Sequence, residues 1–132
     1  MKTFKDYISE ANAVVPRVAP AEAIAIHKQG QAVFIDVRDT KSLDETGTIE
    51  GAHHVPRGMI ELAADPDTPF YRDFFQKDAQ ICIVCGGGVM AALTGKTLLD
   101  MGYTNVTNVG GMNDWKEAGG PVEGGWETPQ VT

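Results

Sequence analysis

Apolar residues at the start of the chain recur at three- and four-residue steps, at Phe4, Tyr7, Ile8, Ala11, Val14 and Val15, the period of an amphipathic helix. This predicts an N-terminal helical extension over residues 1–15 that lays one face on the rest of the protein. A second helix is read from AEAIAIHKQ, with Pro20 available for its first turn and Gly30 where a left-handed C-terminal cap is wanted. The pattern then shortens. AVFIDV, from Ala32 to Val37, is β-branched and almost wholly apolar, the mark of a strand buried on both faces. The polar stretch RDTKSLDETGT leads to a second short strand over Ala52 to Val55, which Pro56 ends.

A weak helix, GMIELAA, follows, then a surface loop, ADPDTPF, and a short helix over YRDFFQK. ICIVC, from Ile81 to Cys85, is the most strand-like run in the chain. It opens into the loop CGGGVM and then the helix AALTGKTLLDMG, with Leu93, Thr97, Leu98 and Met101 on one face and Gly102 as the stop. VTNV (Val106 to Val109) is a further strand and MNDWKEAG a last short helix, while residues 124–132 have no periodicity and read as an extended tail. Strands alternating with helices call for a parallel sheet covered on both faces, with its site at the carboxyl ends of the strands. That arrangement puts Asp36 to Arg38, Pro56–Arg57 and the Cys85 loop on one rim.

The chain has 132 residues, room for one domain, read here as residues 16–123. Its net charge of −7 repels a nucleic-acid backbone or an anionic membrane surface, so neither is expected as a partner. No apolar run approaches the ~20 residues of a membrane helix, and the N-terminus lacks the apolar stretch of a signal peptide. A cytoplasmic protein is expected. The two cysteines, Cys82 and Cys85, are too few and too close for a disulfide framework and are judged as thiols.

Cys85 closes a strand and opens a glycine loop before a helix. Glycines let successive N–H groups turn inward into an anion-attracting concavity, and the helix adds its positive end. That setting favours the thiolate, the form that attacks electrophilic sulfur, which makes Cys85 the candidate nucleophile. Cys82 lies an odd number of residues earlier in the same strand, so it faces the other side and reads as core. A thioredoxin-like pair is disfavoured, because there the first cysteine is the exposed attacker at a helix start. Zinc is not expected, since His27, His53 and His54 offer no second ligand pair; His53 and His54 read as strand-end surface residues. Phosphatase chemistry requires an arginine at the sixth place after the cysteine to clamp the phosphoryl oxygens, and that place is Ala91.

Taken together, FIDVRD (Phe34 to Asp39), GTIEGAHHVPRG (Gly47 to Gly58), ICIVCGGG (Ile81 to Gly88), AALTGKTLLDMGYTNV (Ala91 to Val106) and GGMNDWKEAGGPVE (Gly110 to Glu123) resemble a single-domain rhodanese. The resemblance implies a five-stranded parallel sheet flanked by helices on both faces, and a sulfurtransferase without metal or organic cofactor. A sulfane sulfur would pass from thiosulfate or a persulfide donor to Cys85, and from its persulfide to cyanide or a thiol. Residues Gly86, Gly87, Gly88, Val89 and Met90 would form the active loop, their N–H groups cradling the outer sulfur. Asp36 would orient its surroundings at the strand end, Arg38 would pair with a nearby acid, and Arg57 would reach an anionic donor from the rim. Donor and acceptor are small molecules or protein-bound groups, and the protein is a monomer or homodimer.

One departure stands out. Many active relatives place an arginine at the fifth position after the cysteine, where this chain has Met90. Its absence removes a charge-assisted contact worth ~1.5–3 kcal/mol, about ten- to a hundredfold in affinity for a dianion. The alternative reading is a non-catalytic rhodanese-like module that binds a protein or ligand; such modules usually lose the cysteine. A third, thiol-disulfide exchange through Cys82 and Cys85, requires both thiols on one face.

Overall fold

The computed structural model describes residues 1–125, so the tail expected over 124–132 lies, from residue 126 onward, outside the described residues. In chain order the elements are α1 (Phe4–Val14), α2 (Pro20–Gln29), β1 (Val33–Asp36), α3 (Thr40–Thr46), β2 (Thr48–Ile49), β3 (His53–His54), a 3-10 turn (Arg57–Met59) running into α4 (Ile60–Ala63), β4 (Gln80–Cys85), α5 (Val89–Asp100), β5 (Asn105–Gly111), α6 (Met112–Glu117) and β6 (Val122–Glu123). No helix of the described residues is long and apolar enough to cross a membrane.

The short apolar runs become neighbours in one parallel sheet, ordered β3-β1-β4-β5. Period two divides β4 between two cores. Ile81, Ile83 and Cys85 face α4 and α5 with Phe75, Leu98 and Tyr103, whereas Cys82 and Val84 face α2 and α6 with Phe34, Met112 and Trp115. Among the described residues the sheet has four strands rather than five. Where a fifth would lie beside β5 there is a single parallel bridge, Arg17 to Asn108. Pro16 brings no N–H, and Pro20 already opens α2, so the segment between the two helices is too short to extend the ladder. A separate antiparallel pair joins β2 to β6.

The helix ends follow their chemistry. Pro20 starts α2 and Gly30, at φ 74°, ends it. The polar stretch after β1 contains α3, whose N-cap Asp39 accepts the Ser42 N–H at 2.8 Å. YRDFFQK forms turns instead of a helix: Phe75 is drawn into the core against Tyr103 while Phe74 stacks on His53. On α5 the buried positions are Ala91, Ala92, Thr94, Gly95 and Leu98, with Leu93 and Thr97 turned toward α1. A Cβ on Gly95 would stand 2.8 Å from a Val15 methyl, so its lack of a side chain lets the end of α1 dock. Ala11 and Val15 are buried there, whereas Phe4, Tyr7 and Val14 stay exposed. A groove of about 500 Å³ remains between the two helices.

Candidate active site

β4 delivers Cys85 to the sheet's carboxyl rim with only 2% of its surface exposed. Gly88, at φ +95°, turns the chain into α5. That turn aims its N–H at the sulfur: Gly88 N lies 3.0 Å from Cys85 Sγ and Ala91 N lies 3.3 Å away. Ala91 belongs to the first helical turn, whose N–H groups lack intrahelical partners. Two such donors and the helix dipole together stabilise negative charge on sulfur. Of the residues expected to form the loop, only Gly86 to Gly88 lie before the helix. Val89 and Met90 are in its first turn, with exposed side chains, because α5 starts two residues earlier than the sequence pattern indicates.

The loop leans on the end of β5. A Cβ at Gly111 would overlap the Gly86 carbonyl, so only a glycine permits that approach. Asn108, 1% exposed, ties the two together: Nδ2 donates to the Gly88 carbonyl at 2.8 Å and Oδ1 accepts the Gly110 N–H at 2.8 Å. Its backbone takes hold of the segment before α2, with Asn108 N–H donating to the Pro16 carbonyl and Val18 N–H donating to the Asn108 carbonyl. Arg17 is thereby set against the loop, where Nη2 donates to the Gly87 carbonyl at 3.4 Å. Sequence reasoning missed both residues. An asparagine inside a strand is an unfavoured choice that asks for a reason, whereas nothing local marks Arg17.

Asp36 is fully buried and makes an ion pair with Arg38. It accepts Arg38 Nε at 3.0 Å, Nη2 at 2.8 Å, the Arg38 N–H at 3.0 Å and the Thr48 hydroxyl at 2.8 Å. Arg38 continues to Thr46 and the Gly47 carbonyl, so the knot fixes the end of β1 to both ends of the α3–β2 turn. Among the described residues, the hydrogen bonds of the Asp36 side chain go to these groups and none goes to the Cys85 loop. Arg57 is also not brought to the loop. Its guanidinium is held by Glu61 at 2.9 Å and the Thr97 hydroxyl at 3.1 Å. Thr97 is eight residues past Val89, about 12 Å along the helix, and Arg57 lines the α1–α5 groove.

Cys82 is wholly buried on the other face of the sheet, and burial pushes its thiol up to about 12. The two cysteines therefore lie in different cores. The histidines are engaged rather than simply at the surface: His54 Nε2 lies 2.7 Å from the Arg38 carbonyl, His27 Nε2 lies 2.7 Å from the Glu50 carbonyl, and His53 stacks on Phe74 at 3.9 Å. No group of three or more His, Cys, Asp or Glu among the described residues is placed to hold a metal ion.

A cysteine at the end of a parallel strand, its sulfur seated in the N–H groups of the next helix, defines a class of thiol-dependent site. The match to the rhodanese-like domain model over residues 19–118 shows that the chain belongs to that family. It is 29% identical, over 104 residues, to thiosulfate sulfurtransferase GlpE of Pseudomonas putida strain GB-1, covering 76% of this chain and 84% of that one. Among solved structures, the polysulfide-sulfur transferase homodimer of Wolinella succinogenes is 27% identical with a TM-score of 0.72, covering 98% and 93% of the two chains. A protein of unknown function from Rhodopseudomonas palustris, described as a possible tyrosine phosphatase, is 37% identical with a TM-score of 0.88, covering 93% and 96%. Sulfur transfer is the activity supported at the level of the family.

Proposed function

We propose that the protein is a rhodanese-type sulfurtransferase that carries sulfane sulfur as a persulfide on Cys85. The observation that supports this most is the pair of N–H groups on Cys85 Sγ, at 3.0 and 3.3 Å. In the first step the thiolate attacks the outer sulfur of the donor. With thiosulfate a Cys85 S–S bond forms, the donor's S–S bond breaks, and its electron pair leaves with sulfite. The product is a persulfide anion, and total charge is unchanged. In the second step cyanide or a thiolate attacks that terminal sulfur, giving thiocyanate or an acceptor persulfide and returning the Cys85 thiolate.

Gly86 to Met90 form the loop and the first helical residues beside the sulfur, and the helix start stabilises the negative sulfur at both stages. Asp36 acts through Arg38 as a brace of the rim. Phosphoryl transfer is disfavoured because Ala91 stands where a guanidinium is needed. The reaction needs soluble donors and reduced thiols, which fits a cytoplasmic setting. The test is intact-mass analysis of the reduced protein after thiosulfate and, separately, polysulfide, with Cys85→Ser alongside. One added sulfur atom that depends on Cys85 is expected. No adduct from either donor, in a folded protein with a free thiol, assigns the loop to binding instead.

A further inference from the structure

The Gly87–Gly88 peptide is held from both ends. Its N–H faces Cys85, with the nitrogen 3.0 Å from Sγ. The peptide is trans and aims its carbonyl the opposite way, so the Gly87 oxygen points away from the sulfur and accepts from Arg17 Nη2 at 3.4 Å. The guanidinium lies across the glycines on that side: a Cβ on Gly88 would stand 2.8 Å from its Cζ, and one on Gly110 would stand 3.1 Å from Nη2. A cation and the reacting sulfur thus occupy opposite ends of one peptide unit, whose dipole of about 3.5 D turns its positive end to the sulfur.

The backbone does not set this orientation by itself. A peptide between two glycines turns over by rotating ψ of the first and φ of the second, and neither residue has a Cβ to oppose it. The space beside Gly87 is open for 4 Å around a Cβ position. The same turn would carry Gly88 from φ +95° into the negative range that every residue adopts. The next peptide is fixed by other means, since the Gly88 carbonyl accepts Asn108 Nδ2 at 2.8 Å and the Ala92 N–H at 3.1 Å. Among the described residues, the Gly87 carbonyl is bonded by Arg17 alone.

Turned over, the peptide would set a carbonyl oxygen against the sulfur. That arrangement suits a thiol, which donates, and repels a thiolate or a persulfide anion. Arg17 opposes it in two ways. Its hydrogen bond would be lost in the turn, and its charge, matched by no ion pair among the described residues, draws the oxygen to its own side.

We infer that Arg17 is a positioning residue for the nucleophile: it latches the Gly87–Gly88 peptide with the N–H toward Cys85 and acts on the sulfur only through that peptide. The inference rests on the sulfurtransferase reading for its reaction, but the latch is measurable without turnover. Thiolate absorbance is titrated in wild type, Arg17→Met and Arg17→Lys, each against its Cys85→Ser counterpart, with folding checked by circular dichroism. A hydrogen bond to a charged group is worth about ten- to a hundredfold in an equilibrium constant. With the Ala91 N–H still in place, Arg17→Met sits at the lower end, with about tenfold less Cys85-dependent thiolate at pH 7. Arg17→Lys, which keeps the charge, recovers much of that loss. In isotope-labelled Arg17→Met at pH 8 the Gly88 amide proton, released from sulfur, resonates upfield of its wild-type position.

Sulfur transfer by Arg17→Met falls about tenfold at pH 7, with thiosulfate and an alkyl persulfide alike, and the deficit shrinks as rising pH forms the thiolate regardless. A loosened loop would be equally slow at every pH. Coincident titrations of wild type and Arg17→Met, a deficit independent of pH, or Arg17→Lys no better than Arg17→Met overturns the inference. If Arg17→Met does not fold, Arg17→Gln, which also removes the charge, takes its place with the same expectations. If the wild type takes sulfur from neither donor while its thiolate titration still depends on Arg17, the sulfurtransferase reading falls and the latch stands.

Discussion

Asn108 is the residue on which the geometry of the cysteine loop depends most, and its removal has a calculable cost. In Asn108→Ala the Gly88 carbonyl and the Gly110 N–H, both buried, lose their 2.8 Å partners. An unsatisfied buried polar group costs ~1–3 kcal/mol, and water entering the vacated space offsets part of the total. A loss of about 2–4 kcal/mol follows, or roughly 6–20 °C in Tm for a domain of this size. Gly88 also carries the N–H nearest Sγ. Removing an oxyanion donor outright costs ~10²–10³ in rate, so displacing this one costs sulfur transfer about tenfold or more. Asn108→Asp keeps the shape and the Gly110 contact. Its neutral carboxyl can still donate to the Gly88 carbonyl, which the carboxylate cannot, so folding favours the protonated form and raises its pKa above the ordinary value of about 3.9. The penalty is absent below that value and grows as pH rises toward the folded pKa. Urea unfolding followed by tryptophan fluorescence at pH 4.5 and pH 8, with transfer assays at pH 8, reads both effects. An Asn108→Ala protein within about 0.5 kcal/mol of wild type, or an Asn108→Asp deficit that is the same at both pH values, refutes the reasoning.

Three further outcomes are expected. Asp36→Ala strands a guanidinium whose side chain is 10% exposed and costs about 3–5 kcal/mol, whereas Asp36→Ala/Arg38→Met recovers much of it; chemical unfolding decides, and equal stability of the two variants counts against the brace. Cys82→Ala keeps sulfur transfer at a stability cost of about 1 kcal/mol, and native-state labelling at pH 8 spares Cys82, whose thiol is held up to about 12; loss of transfer in that variant restores the redox-pair reading. The His53 pKa is lowered by burial against Phe74, with Arg72 adding to it, so the unfolded chain takes up the proton first and stability falls as pH drops below about 6.5. His53→Gln flattens that slope in unfolding experiments between pH 7 and 5, and an unchanged slope removes His53 from the account.

What the chain order discloses depends on how local each signal is. β1 and β4 are legible because a strand covered on both faces must be apolar throughout, and the placing of Cys82 and Cys85 in different cores follows from period two alone. Pro20 and Gly30 mark the ends of α2 by backbone preference. α3 was hidden by its polarity, since none of its residues is buried and only the Asp39 cap announces it. β2 and β6, two residues each, exist only through their pairing. The same limit separates the parts of the site. Cys85 and its glycines are contiguous and readable, but Arg17 meets Gly87 across 70 residues, set there by backbone hydrogen bonds of Asn108 to Pro16 and Val18. Arg57 misled for the converse reason: its position beside the rim is local, but its direction is set by Glu61 and Thr97.

The glycines around the cysteine are not equivalent. Gly88, Gly110 and Gly111 are hemmed in by Arg17 or by the neighbouring backbone, whereas a Cβ at Gly86 or Gly87 meets nothing within 4 Å, and neither has a positive φ. The first pair of loop positions is thus free real estate on a fixed foundation. Side chains introduced there would line the entrance without disturbing the seat of the sulfur, which makes Gly86 and Gly87 the positions at which the size and polarity of an incoming acceptor can be re-engineered.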